Sequence, residues 1–164
     1  MQQTLFKGKE SVNMIKIMFV CHGNICRSPM AEFVMRDLVE KAGLSHEISV
    51  ASSATSREEI GNPVHHGTRN KLAEVGISTS GKYAVQFTKE DYKAYDYIIL
   101  MDYLNQRNLT KIIGADASHK VSLLLDFAGG GEVADPWYTG NFEATYRDVL
   151  SGCTGLLAHI KKRL

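Results

Sequence analysis

The sequence predicts an α/β fold built on a parallel sheet. Short apolar runs recur at Ile15–Val20, Ile48–Ser53, Tyr97–Met101 and Lys120–Leu123, and segments of helical periodicity separate them. Directly after the first run comes Cys21-His22-Gly23-Asn24-Ile25-Cys26-Arg27-Ser28-Pro29, at the carboxyl end of a strand, where open parallel sheets bind ligands. A chain of 164 residues suits one domain with its own core.

The segment from Met1 to Asn13 is polar and mixed in charge, and is read as a tail ahead of a domain spanning 14–164. Ile15-Lys16-Ile17-Met18-Phe19-Val20 is β-branched and mostly apolar, as a buried parallel strand requires. Pro29 is expected to open a helix, with Met30, Phe33, Val34 and Leu38 at helical spacing and Gly43 at its end. After the strand at Ile48–Ser53, a loop from Ala54 to Asn62 leads to a helix over Pro63–Val75. Thr88 reads as an N-cap followed by the early acids Glu90 and Asp91. The third strand is Tyr97–Met101, followed by a helix near Tyr103–Ile113 and the strand Lys120–Leu123. A long loop, Asp126 to Gly140, carries Gly129-Gly130-Gly131. The last element, Phe142–Arg163, is an amphipathic helix with Phe142, Tyr146, Val149, Leu150, Cys153, Leu157 and Ile160 in one stripe. Lys161, Lys162 and Arg163 suit its negative end.

With 19 Lys+Arg against 18 Asp+Glu, composition gives no warrant for nucleic acid or an anionic membrane as partner. No apolar run is long enough to span a bilayer, and no signal-peptide pattern is present, so the expected location is cytoplasmic. Three cysteines, Cys21, Cys26 and Cys153, cannot all pair; in a reducing compartment reactivity or packing is their expected use.

The loop at Cys21 combines a thiol with an anion cradle. Amides entering a helix N-terminus converge on one spot, and the helix dipole adds positive potential there. Gly23 and Asn24 accept the left-handed backbone such a loop needs. Arg27, six positions after Cys21, can fork onto two phosphate oxygens. The same field favours the thiolate form of Cys21, which can then attack phosphorus, and Ser28 can donate to the sulfur. An anion-binding loop with an idle cysteine is the alternative. No G-x-x-x-x-G-K-[ST] run and no second cysteine pair occurs, which disfavours a nucleotide loop and a zinc site.

A departing alkoxide or phenoxide needs a proton. Asp135-Pro136 lies in the glycine-bearing loop, and the proline biases Asp135 toward an extended backbone. Trp137 and Tyr138 follow, suited to walling a flat ring. The alternative is an ordinary Asp-Pro turn with its aromatics packed down.

Together these motifs resemble the low-molecular-weight protein tyrosine phosphatases. They are V-C-x-G-N-I-C-R-S-P-x-A-E (Val20 to Glu32), S-A-T-S…E-I-G-N-P (Ser53 to Pro63), T-K-E-D-Y (Thr88 to Tyr92), the strand ending in Met101-Asp102, and D-P-W-Y (Asp135 to Tyr138). The resemblance implies a single-domain, flavodoxin-like phosphatase fold: a four-stranded, twisted parallel sheet with helices on both faces, and no metal or cofactor. It implies hydrolysis of phosphotyrosine through a phosphocysteine on Cys21, with Arg27 binding phosphate and Asp135 as general acid and base. His22, Gly23, Asn24, Ile25, Cys26 and Ser28 would form the phosphate loop, with Asn24 and Ser28 shaping it and supporting the thiolate; Trp137 and Tyr138 would line the pocket. Cys26 matches a second loop cysteine that can form a disulfide with Cys21; a plain small buried residue is the alternative. Partners implied are phosphotyrosine-containing proteins and a tyrosine kinase, around a monomer or weak homodimer.

Two positions depart from that pattern. Glu58, flanked by Arg57 and Glu59, stands where many relatives place an aromatic wall, and would repel an acidic peptide. Lys82 falls where relatives often carry a histidine supporting Asn24 and Ser28, so a differently built support is expected. Ile25 with Trp137-Tyr138 favours phosphotyrosine over the phosphoarginine of related arginine phosphatases. Arsenate reductases of this fold need shuttling cysteines in mid-chain, whereas Cys153 reads as core. A non-catalytic phosphotyrosine-binding module is the remaining alternative. The histidines His22, His46, His65, His66, His119 and His159 show no metal spacing and are read as structural or exposed.

Overall fold

The computed structural model describes residues 14–164; the polar segment read as a tail lies outside the described residues. Strands β1 (Ile15–Cys21), β2 (Ile48–Ala54), β3 (Tyr97–Leu100) and β4 (Val121–Leu123) form one sheet in the order β2-β1-β3-β4. All pairings are parallel: Ile15 stands opposite Ile48, Ile17 opposite Tyr97, and Ile98 opposite Val121. Side chains alternate across a strand, so β1 sends Ile17 and Phe19 into one core and Met18 and Val20 into another. The two central strands are covered on both faces, which is why β1 and β3 read as mostly apolar runs.

The first core lies under α1 (Arg27–Lys41) and α6 (Phe142–Lys161) and includes Met30, Val34, Met35, Val149 and Leu156. The second lies under α4 (Tyr103–Ile113), with Leu109 packed among Phe87, Ile98 and Leu100. Each fully buried Phe, Met or Leu in these layers contributes about 1.5–3 kcal/mol. The helix α2 (His66–Glu74) packs beside α1 and α6.

Several boundaries differ from the sequence expectation, each for a local reason. α1 begins at Arg27, two residues before Pro29; the first turn of a helix has amides without intrahelical acceptors, so proline there loses nothing. α2 begins at His66 because Pro63 is taken into an antiparallel bridge with Tyr83. His65 Nδ1 then caps the helix by accepting the Gly67 N–H at 3.0 Å. The Thr88 cap is present, reciprocated by Asp91, at the start of α3 (Lys89–Ala94). α6 stops at Lys161, which leaves Lys162 and Arg163 beyond it.

The Asp126–Gly140 segment is more ordered than a simple loop. It opens in a 3-10 turn (Leu124–Phe127) and contains the short helix α5 (Pro136–Thr139). Gly129, Gly130 and Gly131 have φ of 96°, 96° and 110°, a region that a Cβ disfavours, which accounts for three consecutive glycines.

In the order β2-β1-β3-β4 the connections leave β1 and β3 in opposite directions, opening a crevice at their carboxyl ends. Cys21 ends β1 and Asp102 follows β3 at that crevice.

Candidate active site

Only five residues, 22–26, separate β1 from α1, so the loop must curl tightly. Asn24 supplies the turn, with φ of 60°; Gly23 does not use the left-handed region. A Cβ at Gly23 would instead come 3.2 Å from Glu59 Cγ, so this position is kept small by a neighbour. The curl brings the Asn24 N–H to 3.3 Å from Cys21 Sγ, to which it donates. Ser28, in the first turn of α1, places Oγ 3.1 Å from the same sulfur.

A buried relay surrounds that hydroxyl. Asn24 Oδ1 accepts the Val85 N–H at 3.1 Å, so its amide nitrogen faces the other way and donates to Ser28 Oγ (2.8 Å) and Ser52 Oγ (2.9 Å). Ser52 in turn donates to Glu32 Oε1 at 2.5 Å. Glu32, 3% exposed, is held by Arg36 at 2.5 Å and by Lys82 at 3.6 Å. Lys82 Nζ also donates to the Ser52 carbonyl at 2.8 Å. Burial lowers the Lys82 pKa, with Glu32 opposing. Ser28 Oγ accepts from Asn24, and its own proton can go to Cys21 Sγ or to the Ser53 carbonyl 3.4 Å away. The sulfur is the nearer acceptor. Lys82 therefore supports the loop through Ser52 and Glu32, a different construction from a histidine on Asn24.

Arg27 is 2% exposed. Its Nη1 donates to Asp102 Oδ2 at 2.7 Å and to the Val133 carbonyl at 2.8 Å, and its Nη2 reaches Asp135 Oδ2 at 3.4 Å. Burial opposes the charge, but the Cys21 sulfur and the two aspartates outweigh it and hold the guanidinium above its ordinary pKa. Asp102 also caps α4, accepting the Asn105 N–H at 2.8 Å. One carboxylate thus starts a helix and orients the arginine.

Asp135 has the extended backbone predicted for it, φ −80° and ψ 114°, and caps α5, with Pro136 at the first helical position. Its Oδ1 accepts the Trp137 N–H at 3.0 Å, leaving Oδ2 toward Arg27. Trp137 is 59% and Tyr138 84% exposed, so the aromatic pair is not packed down. His65, read from sequence as structural, stands edge-on to Trp137 at 5.7 Å and stacked on Phe142 at 5.4 Å; burial lowers its pKa.

One cleft gathers Cys21, His22, Gly23, Ile25, Cys26 and Arg27 from the loop, Glu58 and Glu59 from the segment after β2, and Asp135, Trp137 and Tyr138. Asn24 and Ser28 are outside that lining, behind the loop. Glu58 lies 3.2 Å from His22 Nε2. Cys21 and Cys26 are free thiols, and burial together with Cys21 pushes Cys26 up to about 12. Cys153 is fully buried in the α6 stripe as expected, its thiol pKa raised by that burial.

The sequence marks Glu59 only as an acidic neighbour of Glu58, and assigns no part to Asp102, Ser52 or Glu32. A signal for the last existed: Ser28, Glu32 and Arg36 recur every four residues along one side of α1, a polar line that runs from buried Ser28 and Glu32 to exposed Arg36. Asp102 stands in the sequence only as the end of the Met101-Asp102 motif, and Ser52 carries no local pattern of its own.

A thiol, a loop of backbone donors closed by an arginine, and a carboxylate facing one another in a cleft with aromatic walls have the chemistry for phosphoryl transfer. The family model for low molecular weight phosphotyrosine protein phosphatases matches residues 16–164. The chain is 43% identical over 152 residues to the low molecular weight protein-tyrosine-phosphatase YfkJ of Bacillus subtilis, covering 91% of this chain and 97% of that one. The crystal structure of YfkJ superposes with a TM-score of 0.88 over 92% of this chain and 96% of that one. A low molecular weight protein-tyrosine-phosphatase, PtpA, of Staphylococcus epidermidis is 41% identical over 151 residues, 91% of this chain and 96% of its own. The structure of SP-PTP from Streptococcus pyogenes, 43% identical, gives a TM-score of 0.80 over 89% and 93% of the two chains. On this site and these matches, the chain belongs to the low molecular weight phosphotyrosine protein phosphatase family.

Proposed function

We propose that this protein hydrolyses phosphotyrosine in proteins through a covalent phosphocysteine on Cys21. The observation that carries the reading is the convergence of Cys21, Arg27 and Asp135 in one cleft, with Ser28 Oγ 3.1 Å from the sulfur. In the first step the Cys21 thiolate attacks phosphorus, the ester P–O bond breaks, and Asp135 gives its proton to the departing phenol oxygen. In the second, water attacks the phosphocysteine, Asp135 takes a proton from it, and the P–S bond breaks. Inorganic phosphate leaves and the thiolate is restored, with the Ser28 hydroxyl donating to it. Arg27 and the loop amides hold the equatorial oxygens through both steps, which is where most of the acceleration arises.

The exposed Trp137 and Tyr138 and the apolar Ile25 at the cleft suit an aryl group over a phosphoguanidine. Cys153, buried in α6, is badly placed to shuttle electrons as arsenate reduction requires. Nucleophilic use of Cys21 requires a reducing compartment, so the working location is the cytoplasm; among the described residues no helix is long and apolar enough to cross a membrane. Substrates are phosphoproteins produced by a tyrosine kinase.

Hydrolysis of p-nitrophenyl phosphate in the presence of a metal chelator tests this. Wild type turns over and Cys21→Ser does not; turnover by Cys21→Ser overturns the nucleophile. Asp135→Asn slows phenyl phosphate far more than p-nitrophenyl phosphate, whose leaving group needs little protonation; an equal loss on both removes Asp135 as the acid.

A further inference from the structure

We propose that Glu58 and Glu59 make this enzyme prefer phosphotyrosine flanked by lysine or arginine, an inference that rests on the phosphotyrosine reading above. Both carboxylates belong to the wall of the cleft that holds Cys21 and Arg27. Glu59 is not a free surface side chain. Its Oε1 accepts from Asn62 Nδ2 at 2.8 Å, and its Cγ lies 3.2 Å from where a Gly23 Cβ would stand, so it is pinned against the phosphate loop. Its partner is a neutral amide and leaves its charge intact. Glu58 faces His22 Nε2 at 3.2 Å, a contact that offsets its charge only when the ring is protonated. Arg57, the adjacent cation, is exposed and outside the cleft lining.

The floor of the cleft attracts the phosphate dianion, while this wall opposes it. A substrate bringing a cation beside its phosphotyrosine relieves that opposition, and one bringing a carboxylate adds to it. The effect falls on encounter and binding, hence on kcat/KM. Partly exposed pairs of this kind predict a ratio of about tenfold between Lys-flanked and Glu-flanked substrates at low salt, shrinking at high salt.

Three phosphotyrosyl peptides, identical except for Lys, Ala or Glu on both sides of the phosphotyrosine, provide the test. Each kcat/KM is divided by that of the same protein on p-nitrophenyl phosphate, so general damage to the cleft cancels. Wild type is expected to rank Lys above Ala above Glu; Glu58→Gln/Glu59→Gln flattens the order, and Glu58→Lys/Glu59→Lys inverts it. Equal rates in wild type, or an order unchanged in the glutamine variant, overturns the inference while leaving tyrosine phosphatase activity standing. If wild type hydrolyses neither p-nitrophenyl phosphate nor any peptide, the underlying reading fails and this one with it.

Discussion

Ser28 Oγ stands 3.1 Å from Cys21 Sγ while accepting the Asn24 side-chain amide at 2.8 Å. A thiolate at Cys21 has no proton to give, so in that state the Ser28 hydroxyl is the donor. Stabilising the thiolate this way matters most when Cys21 is the leaving group.

Ser28→Ala is therefore expected to slow breakdown of the phosphocysteine about 10- to 100-fold, the size of a lost hydrogen bond to a charged group. Asn24→Gly tests the same relay without backbone strain, because glycine accepts the φ of 60° at that position. Pre-steady-state measurement should show a larger burst relative to the slow phase in both variants. Loss confined to the burst phase would place Ser28 in the attack step instead.

Asp102 has two roles that substitution can separate. Asp102→Ala removes both the Arg27 partner and the α4 cap, and is expected to weaken inhibition by inorganic phosphate about tenfold and to cost roughly 1 kcal/mol of stability from the cap. Asp102→Asn keeps a capping oxygen but not the charge. It should retain most of the stability and still bind phosphate poorly. Phosphate inhibition constants and urea unfolding midpoints together check this.

The three thiols should differ sharply in reactivity. Burial raises the Cys26 thiol to about 12 and that of Cys153 as well, so neither forms thiolate near neutrality. Iodoacetamide at pH 6 should add one label per chain, on Cys21, and inorganic phosphate should block it. The Cys26 pKa in the fold lies above its ordinary 9.0, so its stabilising effect is complete below pH 9 and is lost as pH climbs toward 12. Denaturation midpoints falling less steeply across that window in Cys26→Ser would show it.

Packing under the acid's loop depends on a close approach. A Cβ at Gly155 of α6 would come 1.9 Å from the Phe127 carbonyl oxygen, and one at Gly152 2.4 Å from Leu124 Cγ. Alanine gains about 1 kcal/mol over glycine in a helix interior, but overpacking costs 1–3 kcal/mol or somewhat more, about what rigid backbone contact demands. Gly155→Ala should therefore destabilise, and Gly152→Ala less so, because the leucine side chain can shift. A rise in thermal midpoint for Gly155→Ala would contradict this.

The fold is legible because the two central strands are buried on both faces, leaving mostly apolar runs at Ile15–Val20 and Tyr97–Leu100. The loop at Cys21 is legible because its residues are local: Cys21, Asn24, Arg27 and Ser28 lie within eight residues. Asp135 is singled out in the sequence by its proline and aromatics, and the fold brings it to the same cleft as Cys21 and Arg27. The parts played by Asp102 and Ser52 are not legible, because each arises only when the sheet order brings separate strands beside the loop. The start of α2 was misplaced for the same reason: Pro63 would open a helix locally, but its pairing with Tyr83 comes from twenty residues away.

The most direct test of the central claim is acid quenching during turnover of a phosphotyrosyl peptide carrying radiolabelled phosphate. The account predicts acid-trapped label on the tryptic fragment containing Cys21, accumulating further in Ser28→Ala and absent in Cys21→Ser, which should not turn over. Steady hydrolysis with no label on that fragment, or turnover by Cys21→Ser, would contradict it.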